Sequence, residues 1–134
     1  MKVIVKWEKD ELFRGVSESG QSILMDANNG RLAVSPLENV LIALGGCSSV
    51  DVVSILKKTK QEVTDCRVEI EAKRVDTTPK LFSDIHLKFV ITGKKINPKH
   101  VERAVSLSAD KYCSVALMLN KAVNITHDFE ITEE

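Results

Sequence analysis

Residues 35–58 read SPLENVLIALGGCSSVDVVSILKK, and this stretch marks the central element of the fold. Ser35 as N-cap, Pro36 at the first helical position and Glu38 three residues after the cap form a capping box, which is typical of a helix start. Apolar residues and Cys47 then recur at three- and four-residue spacing to about Lys58. The stretch therefore predicts a long helix with Cys47 near its middle, on or beside the apolar stripe.

The residues before this helix predict three strands and a loop. Val3, Val5 and Trp7 alternate with mostly charged neighbours, which indicates a first strand. Turns at 10–11 and 19–20 divide the first 27 residues into three antiparallel strands. The segment ANNGRLAV, residues 27–34, carries a turn signal and little periodicity, so we expect a loop before the helix.

The residues after the helix predict a hairpin, a second helical region and a last strand. Clean alternation over 64–75 and again over 85–91, with the turn DTTPK between them, indicates a long hairpin spanning 64–93. Asn97 and Pro98 mark a second helix, with residues 114–122 as its continuation or a shorter helical piece. Residues 123–131 alternate as a final strand. The predicted fold is α+β in the order βββ-α-ββ-α-β, with antiparallel sheets on two main helices.

Composition limits the class of protein. A chain of 134 residues with 43% hydrophobic content has the size of one domain, taken as residues 1–134. Nineteen basic and nineteen acidic residues balance, so no net positive field favours nucleic acid or an anionic membrane as a partner. The start, MKVIVKWEKDE, lacks the apolar segment of a signal peptide, and no run approaches the roughly 20 apolar residues of a membrane span. We expect a cytoplasmic protein.

The three cysteines, Cys47, Cys66 and Cys113, form no CxxC pair, which fits neither a secreted disulfide framework nor the common zinc spacings. The three histidines are isolated from one another as well. We therefore expect reduced thiols, no metal and no cofactor.

Local context distinguishes the cysteines. Cys66 falls on the apolar face of a strand, where a buried thiol is the usual interpretation. Cys47 follows Gly45 and Gly46, each of which costs a helix about 1 kcal/mol relative to alanine. Such a pair indicates a packing or access reason, and close approach of another backbone or a ligand to the thiol is one such reason. Cys113 lies between a polar stretch and an apolar helical run. It is either near a helix N-terminus, where a thiolate is favoured, or buried at a helix junction.

Two segments carry a resemblance. SPLENVLIALGGCSSVDVVSILKK and KYCSVALML resemble the two cysteine segments of the osmotically inducible protein C and organic hydroperoxide resistance (OsmC/Ohr) family, and the predicted element order agrees with that family over the whole chain. The resemblance implies an intertwined homodimer with two active sites at the subunit interface. It also implies stress-response chemistry in which Cys47 attacks a small-molecule hydroperoxide, Cys113 resolves the product as a disulfide, and an external dithiol reductant restores both thiols.

The resemblance further implies a cation beside the Cys47 thiolate. Arg14 on the second strand and Arg31 in the loop before the helix are the two candidates, from the same or the partner subunit. The family's peroxidases carry a glutamate directly after the motif proline to orient that arginine. In this sequence the position is Leu37, and Glu38 falls on roughly the opposite helix face from Cys47.

Three functions follow from these residues. The first is a hydroperoxide reductase with peroxiredoxin-type two-cysteine chemistry. The second is an OsmC-like dimeric protein that binds a small ligand without efficient peroxidase activity, which Leu37 favours. The third, a Cys-His hydrolase using His86, His100 or His127 as base, lacks a recognisable nucleophile motif.

Overall fold

The computed structural model describes all 134 residues, which form two compact units, Met1–Ile42 and Ala43–Glu134, divided within the first helix. The elements in chain order are β1 (Val3–Lys9), β2 (Leu12–Ser17), β3 (Ser22–Asp26), α1 (Pro36–Lys58), β4 (Glu62–Arg74), β5 (Phe82–Lys94), α2 (Pro98–Leu107), a π-helical turn (Ser108–Tyr112), α3 (Ser114–Leu119) and β6 (Asn124–Glu133). The predicted α+β class and element order are confirmed. That residues 1–134 form a single domain stays a prediction.

The first unit contains an antiparallel sheet in the order β1-β2-β3. Both of its turns use backbone with positive φ, at Asp10 (48°) and Gly20 (89°), which aspartate and glycine adopt more readily than other residues. Both turns lie where the sequence predicted them.

Strand β1 forms where the alternation predicted a strand, and both of its faces are exposed, with Val3 68%, Val5 58% and Trp7 68% accessible. Ile4, on the other face, is 63% accessible. The apolar side chains of β1 are therefore not covered within the chain.

Helix α1 begins as the capping box predicts. The Ser35 hydroxyl accepts a hydrogen bond from the Glu38 backbone N–H at 3.1 Å, and the Glu38 carboxylate accepts one from the Ser35 N–H at 2.9 Å. Hydrogen bonds to the Glu38 carboxylate from the Ser35 backbone N–H and, to a smaller extent, from the Ser35 hydroxyl hold the pKa of Glu38 below its ordinary value, because both favour the ionised carboxylate. The role of Glu38 is thus to cap the helix.

The second unit contains the sheet β4-β5-β6, with β5 in the centre. Strands β4 and β5 pair antiparallel, as predicted, whereas β6 pairs parallel to β5 and departs from the predicted antiparallel pairing. The reason is the connection, because α2, the π-helical turn and α3 form a crossover that returns the chain before β6 begins. A crossover of this length allows parallel pairing, which a tight turn does not.

The core of the second unit lies between its sheet and its helices. Three residues of α1 are fully buried, Leu44, Val52 and Leu56, at the spacing of one helix face. The other largest contributors are on β5 and α2: Ile85, Leu87, Phe89, Ile91, Val101, Ala104 and Val105. The buried stripe of α1 therefore passes beside Cys47 rather than through it.

Helix α1 is also apolar enough to resemble a membrane span, with a mean hydropathy of 1.7 over its 18-residue window. A core helix passes the same test, and Leu44, Val52 and Leu56 are completely buried by protein. Packing accounts for part of its apolar character, since 28% of that window is buried, while Ile42 (55%) and Val50 (69%) stay exposed.

Candidate thiol site

Cys47 lies on α1 and is half-buried, whereas Cys113 is fully buried, with 0% of its surface accessible. The side chain of Cys113 interacts with the side chain of Cys47, so the fold brings together two cysteines that are far apart in sequence. The pair combines one thiol that a small molecule can reach with one that solvent does not reach.

The chain around Cys113 fixes its sulfur by backbone geometry. The π-helical turn ends at Cys113, whose backbone N–H donates to the carbonyl oxygen of Ser108 at 2.8 Å. Cys113 is then the N-cap of α3, and its sulfur accepts a hydrogen bond from the Ala116 backbone N–H at 3.4 Å. The sequence-based expectation of a position at a helix junction is therefore correct, and the thiol is buried there.

Burial raises the pKa of the Cys113 thiol above its ordinary value. The hydrogen bonds from Ser48 and the Ala116 N–H act in the opposite direction, while the interaction with Cys47 and the negative charge of its thiolate raise the pKa of Cys113 further. Burial thus favours the protonated form of Cys113.

Two buried serines surround the pair, and sequence reasoning missed both as site residues. The Ser48 hydroxyl donates to the Cys113 sulfur at 3.3 Å. The Ser108 hydroxyl donates to the Asp51 carboxylate at 3.0 Å and, at a longer 3.4 Å, to the Ser48 carbonyl. The only signal in the sequence was the spacing of Ser48 and Asp51 on the helix turn that follows Cys47. Their partners are remote in sequence.

Cys66 is half-buried on β4, on the inward face that the alternation predicted. Burial raises the pKa of its thiol, the Asp65 charge raises it further, and a hydrogen bond with Ser49 lowers it. This setting keeps Cys66 protonated at neutral pH, and it fits the predicted role as a packing residue.

The two candidate arginines belong to the first unit. Arg14 on β2 forms an exposed ion pair with Glu8 at 2.6 Å and donates to the Ser22 hydroxyl at 3.2 Å. Arg31 lies in the loop before α1 and lines a cavity of about 530 Å³ with Asp26 and other residues of its unit. Support of Cys47 by either arginine stays a prediction.

The histidines do not join the thiols. His86 is half-buried on β5, with Nδ1 bonded to Thr126 at 2.6 Å and Nε2 to Asp128 at 3.0 Å. The cysteine thiols interact with serine hydroxyls, a backbone N–H and one another, and none with a histidine. The side-chain contacts therefore give a Cys-His hydrolase no support. The fold contains no group of three or more potential metal ligands.

The fold and the paired thiols define an α+β protein with a two-cysteine site. A family model described as "OsmC-like protein" matches residues 27–128. Protein YhfA of Escherichia coli strain K12 is 54% identical over 131 residues, which is 98% of each chain. The chain belongs to the OsmC-like protein family, and the resemblance found in the sequence is confirmed.

Solved structures agree with this assignment. A hypothetical protein from Aquifex aeolicus VF5 shares 33% identity and a TM-score of 0.90 over 99% of this chain and 96% of that chain. An organic hydroperoxide resistance protein OsmC from Legionella pneumophila shares only 16% identity, with a TM-score of 0.72 over 97% of each chain. The second likeness concerns the fold alone.

Proposed function

We propose that this protein is a cytoplasmic, thiol-dependent hydroperoxide reductase that uses Cys47 as the attacking thiolate and Cys113 as the resolving thiol. The observation that carries the proposal is the interaction between these two side chains, one half-buried and the other fully buried. The Legionella protein of the same fold is described as an organic hydroperoxide resistance protein, which is consistent with an organic hydroperoxide as substrate.

The chemistry has three steps. The Cys47 thiolate attacks a peroxide oxygen; the O–O bond breaks, an S–O bond forms, and the alcohol leaves after taking up a proton. The Cys113 sulfur then attacks the Cys47 sulfenic acid; the S–S bond forms, the S–O bond breaks, and hydroxide departs with the Cys113 proton as water. An external dithiol reduces the disulfide through a mixed disulfide and becomes oxidised itself.

The different settings of the two thiols support this division of roles. A peroxide reaches half-buried Cys47 more easily than Cys113, which has no accessible surface. The raised pKa of Cys113 keeps it a thiol until the sulfenic acid forms beside it. Cys113 is therefore protected from direct oxidation and is positioned for the second step.

We also propose that the functional unit is a homodimer. The first unit exposes a group of large apolar side chains that monomeric proteins rarely leave in water: Val3, Ile4, Val5, Trp7 and Ile23. The second unit exposes Val50 (69%) and Met118 (65%). In a dimer, Arg14 or Arg31 of either subunit would supply the cation beside Cys47.

The steady-state assay measures loss of cumene hydroperoxide with dithiothreitol as the dithiol, and the same assay is run with hydrogen peroxide. We expect turnover that Cys47→Ser abolishes and Cys113→Ser strongly reduces. Cys66→Ser, the matched thiol control, is expected to stay within about twofold of the wild type, because a buried thiol with a raised pKa reacts slowly. Wild-type turnover equal to that of Cys47→Ser would rule out the reductase.

A dimeric ligand-binding protein without efficient peroxidase activity is the second candidate. Leu37 favours it, since it occupies the position at which the family's peroxidases carry the glutamate that orients the arginine. Replacing Leu37 with glutamate separates the two candidates. A large gain in peroxide turnover from an inactive wild type would support the binding protein, whereas an active wild type would support the reductase.

A further inference from the structure

The Ser48 hydroxyl has an unusual partner for a serine in a helix. Mid-helix serines commonly bond a carbonyl of the preceding turn or solvent. Ser48 is 3% accessible, and its hydroxyl donates instead to the Cys113 sulfur at 3.3 Å. Burying a hydroxyl costs folding free energy unless the hydroxyl is hydrogen-bonded. The hydrogen bond to the Cys113 sulfur therefore satisfies the buried Ser48 hydroxyl.

The Cys113 sulfur receives two donors, the Ser48 hydroxyl and the Ala116 N–H. Negative charge develops on the Cys113 sulfur when it loses its proton and bonds to the Cys47 sulfur. It develops again when a reductant attacks Cys47 and Cys113 leaves the disulfide. Fixed donors stabilise charge that develops in a buried site more effectively than solvent does. The backbone donor is present in any sequence, whereas the hydroxyl depends on Ser48.

A second serine anchors the segment that carries Cys113. Ser108 donates to Asp51 on α1 through its hydroxyl, and it accepts from the Cys113 N–H through its carbonyl. Ser48 and Asp51 are neighbours on one face of α1. Ser108 thus fixes the start of the π-helical turn against the helix that also carries Cys47, which keeps the Ser48–Cys113 distance short.

We propose that Ser48 is a catalytic residue of the thiol site, whose hydroxyl promotes closure of the Cys47–Cys113 disulfide and the departure of Cys113 when that disulfide is reduced. Ser108 and Asp51 are positioning residues for this contact. The inference rests on the proposed two-cysteine function, and it adds a residue whose effect is confined to the second and third steps.

The test separates the steps. Stopped-flow oxidation with cumene hydroperoxide resolves formation of the Cys47 sulfenic acid from closure of the disulfide. Ser48→Ala is expected to keep the rate of sulfenic acid formation within about twofold of the wild-type rate. It should slow disulfide closure about tenfold, which corresponds to the loss of one hydrogen bond to a developing charge. Ser48→Thr keeps the hydroxyl and should recover most of the second rate. Thermal unfolding confirms that each variant is folded.

The matched control is Ser49→Ala, which removes the neighbouring hydroxyl of the same helix. Ser49 bonds Cys66 rather than Cys113, so both rates should remain those of the wild type. Equal closure rates in Ser48→Ala and the wild type would overturn the assignment of Ser48. So would equal slowing by Ser48→Ala and Ser49→Ala.

A second readout needs no peroxide. In a Cys47→Ser/Cys66→Ser background, the pH dependence of the thiolate ultraviolet absorbance reports the pKa of Cys113, the one remaining thiol. Adding Ser48→Ala should move that profile to higher pH, because the hydroxyl lowers the pKa. If peroxide fails to oxidise the wild type, the proposed function fails and the catalytic role of Ser48 fails with it, while this profile still decides whether the Ser48 hydroxyl stabilises the Cys113 thiolate. An unmoved profile would contradict it.

Discussion

Burial and charge set the three thiols of this chain apart. Cys113 is fully buried, whereas Cys47 and Cys66 are half-buried; burial raises the pKa of Cys113 and of Cys66, and the Asp65 charge raises that of Cys66 further. A raised pKa means fewer thiolates at neutral pH, and the thiolate is the reactive form. Burial and neighbouring charge therefore give these chemically identical side chains different reactivities.

Cys66 allows a direct test of this ranking. In a Cys47→Ser/Cys113→Ser variant, we expect the alkylation rate of Cys66 to rise only at a pH above that at which free cysteine reacts, because burial and the Asp65 charge raise its pKa. Asp65→Asn should move the profile toward lower pH. The measurement is the pH–rate profile with iodoacetamide, and a profile at or below that of free cysteine would contradict the ranking.

At the same scale, the sequence predicted some site residues and could not reveal others. The pairing of Cys47 with Cys113 followed from a resemblance, because nothing in either local pattern specifies a contact across the chain. Ser48 and Ser108 have no local signature, since the atoms that make them important come from the Cys113 segment and from Asp51. Such contacts exist only once the fold has formed.

At the scale of elements, Gly45 and Gly46 occupy adjacent positions of α1 but have different surroundings. A Cβ at Gly45 would lie 2.8 Å from Ile70 Cδ1 and 3.2 Å from Val68 Cγ1, whereas one at Gly46 would meet nothing within 4 Å. The reason for a glycine at position 45 is packing by side chains of β4, rather than close approach by a backbone or a ligand.

The two glycines form a matched experiment. Gly45→Ala and Gly46→Ala gain the same helix propensity, about 1 kcal/mol, but only Gly45→Ala overpacks the contact with β4. We expect Gly45→Ala to be less stable than Gly46→Ala by about 1–3 kcal/mol in urea unfolding. Equal unfolding free energies for the two variants would show that the helix and β4 are not so closely packed.

Element boundaries were predicted well where capping chemistry marks them, as at Ser35 and at Asn97, whose side chain accepts from the Lys99 N–H at 3.0 Å. Strand direction was predicted less well. Alternation along β6 identifies a strand with one buried face but carries no information on its orientation. The crossover through α2 and α3 determines that orientation.

At the scale of the whole molecule, the exposed apolar face of the first sheet favours a homodimer. Val5, Gly15 and Ile23 are cross-strand neighbours on one face, which Val3 and Trp7 extend. A face of this kind is more typical of an interface than of a solvated surface. The sequence pattern predicted the apolar positions of β1 correctly, but it could not distinguish burial within one chain from burial between two.

Light scattering after gel filtration tests the dimer. We expect twice the mass of the 14.9 kDa chain for the wild type. A Val3→Lys/Val5→Lys variant should shift toward the monomer, because charges on this face disfavour pairing. Lys6→Glu, on the opposite face of β1, is the charge-changing control and should remain dimeric. A monomeric wild type would rule out the dimer.

The central claim is that Cys47 and Cys113 act as a peroxide-responsive pair, and peptide mass spectrometry tests it most directly. Reduced protein is mixed with cumene hydroperoxide, quenched by alkylation at successive times and digested. We predict rapid appearance of the Cys47–Cys113 disulfide peptide, its absence in Cys47→Ser, and alkylated Cys66 throughout. Thiols that stay reduced, or that oxidise no faster than free cysteine, would contradict the account.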